Sequence, residues 1–226
     1  MTAVTQSPLF GIALTVAAYS VGLWVNRKTG LSAANPNLIA IPLVILCLVV
    51  TGTPLEDYRR GGEVINMLLG PATAALALSI YRQKEILREF FLPVLLGCFA
   101  GCCAAVGSTL ALCRLFGLDD TLTASLLPKS VTTPIAVELS AQGGGVAAVT
   151  IVVVIFTGIA GAALGPGFLR LLGITDPMAQ GVAIGTASHG IGTARALELG
   201  KVQGAMSGVA IGVSGLITVA LITLLG

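Results

Sequence analysis

Two stretches of this chain, Leu43–Val50 and Val149–Ile155, run on without a charge and without the alternation that a half-wetted strand needs. Such runs have to be surrounded by apolar material on every side, either a protein core or lipid. Composition decides between the two. Charged residues make up 10% of the 226, against about 25% in an average globular domain, and the mean hydropathy is +0.98. That inventory cannot cover a soluble particle with a polar surface. In lipid the backbone must satisfy its own hydrogen bonds, and a chain without barrel-type alternation does so as helices. The sequence therefore predicts an all-α polytopic integral membrane protein. At roughly 20 residues per crossing there is room for about seven or eight spans.

The predicted spans are 8–25, 33–52, 61–81, 87–113, 120–142, 146–172, 177–199 and 203–225, separated by the polar clusters Asn26–Lys28, Glu56–Arg60, Arg82–Glu89, Asp119–Asp120 and Thr175–Pro177. No intervening segment is long enough for a soluble domain, so one membrane domain over 1–226 is expected. Met1–Ser7 lacks basic residues, and the apolar run from Pro8 ends in Asn26-Arg27-Lys28 rather than a small-residue cleavage site. It reads as a first membrane helix and not as a signal peptide. If all spans cross, Arg27, Lys28, Arg82, Lys84, Arg88 and Lys201 share one side, and Arg59, Arg60, Arg114 and Arg170 the other. The positive-inside rule then places both termini outside the cytoplasm, although one re-entrant hairpin would reverse this. A net charge of +2 offers nothing to a nucleic acid. Cys47, Cys98, Cys102, Cys103 and Cys113 lie in apolar stretches with no CxxC pair or neighbouring histidine. They read as small packing residues, and neither a metal nor another cofactor is expected.

Helix-breaking and polar residues gather at three places inside otherwise apolar spans: Leu68–Thr73, Leu127–Pro134 and Gly185–Thr193. Proline and glycine weaken the helical ladder there, so discontinuous helices are predicted. The breaks recur. A shift of 60 residues lays Lys129–Ser140 on His189–Gly200, matching Thr133 with Thr193, Ala136 with Ala196, Glu138 with Glu198 and Leu139 with Leu199. A further step puts Thr73 on Thr133. Internal repeats over 61–116, 120–172 and 177–226 would account for this, and broken helices in corresponding positions are the best sequence pointer to a transporter's binding site.

An interrupted span presents free N–H groups and a partial positive charge at the start of its second half. To these the first break adds Lys129, Ser130, Thr132 and Thr133, and the second adds Ser188, His189, Gly190 and Thr193. Lys129 and Thr133 share a helix face, as do His189 and Thr193. If the breaks met, they would form a small, positive, donor-rich pocket suited to a carboxylate. Lys129 could instead snorkel to the interface, and His189 could be a satisfied interior histidine. Intramembrane ionisable groups are costly, however, which favours function, and His189 could also carry a coupled proton. Arg195 and Glu198 are spaced to pair along one face. Arg195 counts among the binding candidates even so. Glu138, Glu198, Asn66 and Thr73 are candidates for coupling or structural roles. Catalysis is not expected: Lys129 and Ser130 are adjacent and so point about 100° apart on a helix, and no HExxH or GxSxG motif is present.

The strings Leu127–Ala136 and Ser188–Leu197, with Leu69–Thr73 followed by Tyr81-Arg82-Gln83, resemble the LrgB/CidB family of bacterial membrane proteins over nearly the whole chain. Gly190 stands where that pattern often has alanine. The resemblance implies two functions of different class. One is regulation of murein hydrolase export as an antiholin-like protein, acting with a small LrgA/CidA-type membrane partner. The other is carriage of a small monocarboxylate such as glycolate, glycerate or pyruvate, as in the LrgB-like part of the plant plastid glycolate/glycerate translocator. Lys, His and Thr at repeated helix breaks fit carriage better than bilayer disruption. The expected setting is the bacterial cytoplasmic (inner) membrane, as a multi-pass protein that is a homo-oligomer in the bilayer.

Overall fold

The computed structural model describes residues 5–29, 36–68, 71, 81 and 84–225, and every regular element among them is a helix. In chain order these are α1 (Pro8–Thr29), α2 (Pro36–Thr51), α3 (Leu55–Asn66), α4 (Lys84–Glu89), α5 (Phe91–Leu115), α6 (Asp120–Leu126), α7 (Thr133–Gln142), α8 (Ala147–Leu171), α9 (Pro177–Leu199) and α10 (Lys201–Leu225). By length and composition α1, α5, α8 and α10 can each cross a membrane. At 1.5 Å per residue the 25-residue helices reach about 37 Å, beyond the roughly 30 Å hydrocarbon core.

The chain divides into two compact units, Met1–Leu76 and Ala77–Gly226. In the first, α1 packs on α2 and α3 around Ala18, Ala40 and Val44. Glycine permits the approach: a Cβ on Gly11 would stand 2.5 Å from the Tyr58 carbonyl oxygen, and one on Gly22 2.5 Å from that of Pro36. Thr15 and Tyr58 join α1 to α3 through their hydroxyls, 3.0 Å apart. Of the expected span 61–81 the structure describes mainly the start. Residues up to Asn66 complete a helix that begins at Leu55, where Glu56 and Asp57 in the first turn complement the positive end of the helix dipole. With Arg59, Arg60 and Glu63 it is an amphipathic, charged helix rather than an apolar one. The rest of that expected span, including the Gly70–Thr73 break, lies outside the described residues, apart from Met67, Leu68, Pro71 and Tyr81.

In the second unit α9 and α10 are pressed together by small residues, the device that membrane helices use in place of a hydrophobic drive. A Cβ on Gly181 would fall 2.5 Å from the Gln203 carbonyl oxygen, and one on Gly185 2.4 Å from that of Ser207. Helix α5 lies against this pair through Val94 and Cys98, which contact Met206, Val209 and Ala210. Helix α8 packs on the other side of α9, where Gly158 and Gly161 abut His189 and Ser188.

Span 120–142 is broken as expected. Helix α6, capped by the Asp119 carboxylate accepting from the Leu122 amide at 2.7 Å, stops at Leu126. Helix α7 restarts at Thr133, with Pro134 in its first turn, where a missing N–H costs nothing. Span 177–199 is broken differently: the helix is continuous in extent but kinks at His189, whose φ of 40° and ψ of −137° are not helical. The 60-residue shift places His189 opposite Lys129, inside the first break, but the helix resumes directly after His189, three residues earlier in that register than after Thr132.

Candidate functional site

The first break is held by its base and reaches out with its tip. Near the base, the Ser125 hydroxyl accepts from the Val146 amide at 2.7 Å and donates to the Thr121 carbonyl at 2.7 Å. Thr150 donates to the buried Ser140 hydroxyl, also at 2.7 Å. At the tip, Pro128 and Ser130 are buried and Lys129 is half-buried. The Lys129 ammonium donates to the Thr109 hydroxyl of α5, which itself donates to the Ala105 carbonyl at 2.7 Å. No ion pair involves Lys129 among the described residues. Here, then, is a lysine within the apolar unit that no carboxylate among the described residues neutralises. Among the described residues the backbone amides of Ser130 and Thr132 likewise carry no backbone hydrogen bond, and the hydroxyls of Ser130, Thr132 and Thr133 have no partner.

Lys129 and Ser130 end a cavity of about 800 Å³ walled by α5, α8 and α9. Its polar lining is sparse: Lys129, Ser130, Thr157 and Thr186 within, and Asp176 at one end, where that carboxylate is engaged as the cap of α9 through the Ala179 amide at 2.8 Å. The rest is apolar, with Phe90, Val94, Met178 and Val182 the larger side chains. Glycine makes the space: Gly97 and Gly101 of α5 face α9, and a Cβ on Gly101 would stand 2.8 Å from the Thr186 methyl. A second cavity, of about 650 Å³, lies further along α5 against Leu110 and Arg114 and against Leu127, Gln142 and Gly143 of the broken span. Thr109 sits between Ala105, which lines the first cavity, and Leu110, which lines the second.

The second break contributes structure more than lining. The His189 imidazole is 4% exposed and points at α8, its Nε2–H donating to the Val154 carbonyl at 3.0 Å. It is not among the side chains lining the Lys129 cavity. Both breaks nevertheless come to the same stretch of α8, because Val131 packs on the side chain of Val154. Thr193 donates to the His189 carbonyl at 2.9 Å and meets the Ser207 hydroxyl of α10 at 2.7 Å. Ser188 is buried against Gly161, Gly190 is exposed, and neither lines the cavity.

The remaining candidates lie apart from this centre. Arg195 and Glu198 form the expected pair along one helix, with Glu198 61% exposed. Exposed Glu138 does have a partner in its own helix, an uncharged one: Gln142 Nε2 donates to it at 3.0 Å. Asn66 is exposed at the end of α3, and Thr73 lies outside the described residues. The expected pocket, small, rich in donors and enclosed by both basic side chains, differs from the cavity observed, which is larger, mostly apolar and reached by Lys129 alone. Sequence reasoning missed Thr109, Thr157 and Thr186. Thr157 is a lone hydroxyl in an apolar run and Thr109 follows Ser108 in another, patterns that more often mark a hydroxyl bonded to its own helix, and Thr186 lies at the edge of the Gly185–Thr193 break, away from its basic residue.

These features define a helical membrane protein with a broken helix that carries a lysine unpaired by any carboxylate, and several hydroxyls without partners, among the described residues. Residues 15–226 match the LrgB-like family, and the chain belongs to that family. It is 41% identical over 198 residues to the protein YxaC of Bacillus subtilis, covering 88% of this chain and 86% of the relative. It is 36% identical over 219 residues to the antiholin-like protein LrgB of the same organism, covering 96% of this chain and 95% of the relative. The protein of that name in Bacillus cereus is 35% identical over the same length. No solved structure matches.

Proposed function

We propose that the chain moves a small monocarboxylate across the bacterial cytoplasmic membrane, with Lys129 as the anionic group's partner. The observation that carries this reading is the position of Lys129: unpaired by any described carboxylate, bonded to Thr109, and placed where one cavity ends and a second begins beyond Leu127. Desolvating an ammonium without a counter-charge is costly, and a carboxylate entering from either cavity would relieve that cost. Ser130 offers a hydroxyl beside it, and the unbonded amides at the break offer further donors. His189 serves the fold of the second break, with Thr193 fastening that break to α10. Movement of the 127–142 segment against α5 would open the Thr109 barrier to one cavity or the other, in the manner of carriers built on discontinuous helices. Multi-pass insertion through about seven or eight spans, internal repeats, a homo-oligomer and an LrgA/CidA-type partner belong to the same proposal.

A second reading, regulation of murein hydrolase export as an antiholin-like protein, is favoured by the name of the relatives that share 95% of their length with this chain. The relatives' names support regulation, and the paired cavities support carriage. Purified protein in liposomes separates them. Carriage predicts saturable counterflow of labelled pyruvate, glycolate or glycerate that is lost in Lys129→Ala. Unsaturable release of large dyes, with no counterflow, would leave the regulator reading alone.

A further inference from the structure

The proportions of the Lys129 cavity say more about its guest than its charge does. A three-carbon acid occupies a small part of 800 Å³, a volume on the scale of sites for far larger ligands. Hydroxyl-rich acids such as glycerate need donors and acceptors along their whole length. This cavity offers polar groups around Lys129 and Ser130 and the Thr157 hydroxyl, whereas the Thr186 hydroxyl donates to Cys98 Sγ at 3.5 Å and the Asp176 carboxylate at the far end caps α9; Phe90, Val94, Met178 and Val182 supply apolar wall. Burying a hydroxyl against such wall without a partner is unfavourable, whereas burying a methylene is favourable. We infer that the site takes monocarboxylates carrying an unbranched apolar chain of about four to six carbons in preference to hydroxylated acids, with the carboxylate at Lys129 and the chain laid along α9 past Ala187 toward Ala183. Those two alanines are one turn apart on the cavity side of α9, and both are exposed there, leaving room for the chain. The inference rests on the carboxylate reading of Lys129 but is separable from transport.

The test is the binding of acetate, butyrate, hexanoate and glycerate to the purified full-length protein, followed by thermal stabilisation in detergent. Hexanol serves as the control for partition into the micelle, and labelled counterflow is measured in parallel. Affinity is expected to rise from acetate to hexanoate by roughly three- to fourfold per methylene, with glycerate weaker than butyrate and hexanol without effect. In Ala183→Leu, or in Ala187→Leu if the first is poorly folded, the ratio of hexanoate to acetate affinity should fall about tenfold, because the added side chain occupies the path of roughly two methylenes. A flat series, or glycerate binding as tightly as butyrate, overturns the inference and leaves the carboxylate reading standing. Graded binding without counterflow overturns transport and leaves the inference standing. Absence of binding by every acid overturns both.

Discussion

Replacing Lys129 with glutamine separates a functional cation from a structural one, because the two readings predict opposite signs for stability. The ammonium is half-buried, donates to Thr109 and has no ionic partner among the described residues. Glutamine is slightly shorter, keeps an N–H that can reach Thr109, and removes the charge. Leaving an uncompensated charge in a low-dielectric setting is unfavourable by several kcal/mol when burial is complete. With Lys129 only half-buried, relief of about 1 kcal/mol is the reasonable scale, a rise of roughly 2–4 °C in Tm for a chain of this size. Anion binding should move the other way. A hydrogen bond to a charged group contributes about 1.5–3 kcal/mol, so carboxylate affinity should fall roughly 10- to 150-fold. Thermal unfolding of the purified variant and concentration-dependent counterflow in liposomes give the two readouts. A variant with lowered Tm and unchanged uptake would refute the reasoning, since Lys129 would then be holding the break to α5 and nothing more.

The packing of the second break makes its own predictions. In Gly161→Ala the new methyl would lie 1.7 Å from Ser188 Oγ and 2.7 Å from its Cβ, so a rotamer change cannot accommodate it; Tm should drop by an amount equivalent to about 1–3 kcal/mol, whereas Gly107→Ala, with nothing within 4 Å, should leave it level or raise it. At His189, φ of 40° suits glycine, so His189→Gly should be more stable than His189→Ala by about 1 kcal/mol, the reverse of the order in an ordinary helix; equal stability in thermal unfolding would mean the kink relaxes without the imidazole. Glu198→Ala removes an exposed partner of Arg195 and should shift stability by less than about 0.5 kcal/mol, and a larger shift by the same measurement would show that the pair is coupled to the break.

Much of the helical layout was legible because its cause is local. Length and hydropathy mark α1, α5, α8 and α10, and each runs within a few residues of its expected span. The first break was legible too, though not from proline alone. Pro42 and Pro166 sit inside α2 and α8, which continue through them. What sets Leu127–Pro134 apart is the clustering of a lysine and three hydroxyls between its prolines, groups that a lipid-facing helix would not carry. At the start of span 61–81 the hydropathy average gave no sign of a helix start at Leu55, set by Pro54 and the acidic first turn. What could not be read was tertiary. Which wall each side chain faces depends on helix rotation, and that is set by glycines such as Gly158 and Gly161, whose meaning appears only with their neighbours in place.

The two breaks show why similar strings gave different sites. At the first, prolines withdraw N–H donors and the chain leaves the helix for six residues, Leu127–Thr132, so the intervening side chains are free to turn toward a cavity; Lys129 and Ser130 do so. At the second, no proline intervenes and the helix resumes at once after His189, so only one residue is non-helical. The cost of its left-handed φ, of order 1–3 kcal/mol, has to be offset by contacts of that same residue. The imidazole bond to Val154 and the Thr193 bond to the His189 carbonyl are those contacts. A side chain committed to holding its own backbone in place is poorly free to bind a ligand. On the proposed carboxylate reading the long break would present the functional group, Lys129, while the sharp one fixes the geometry of α9 through His189.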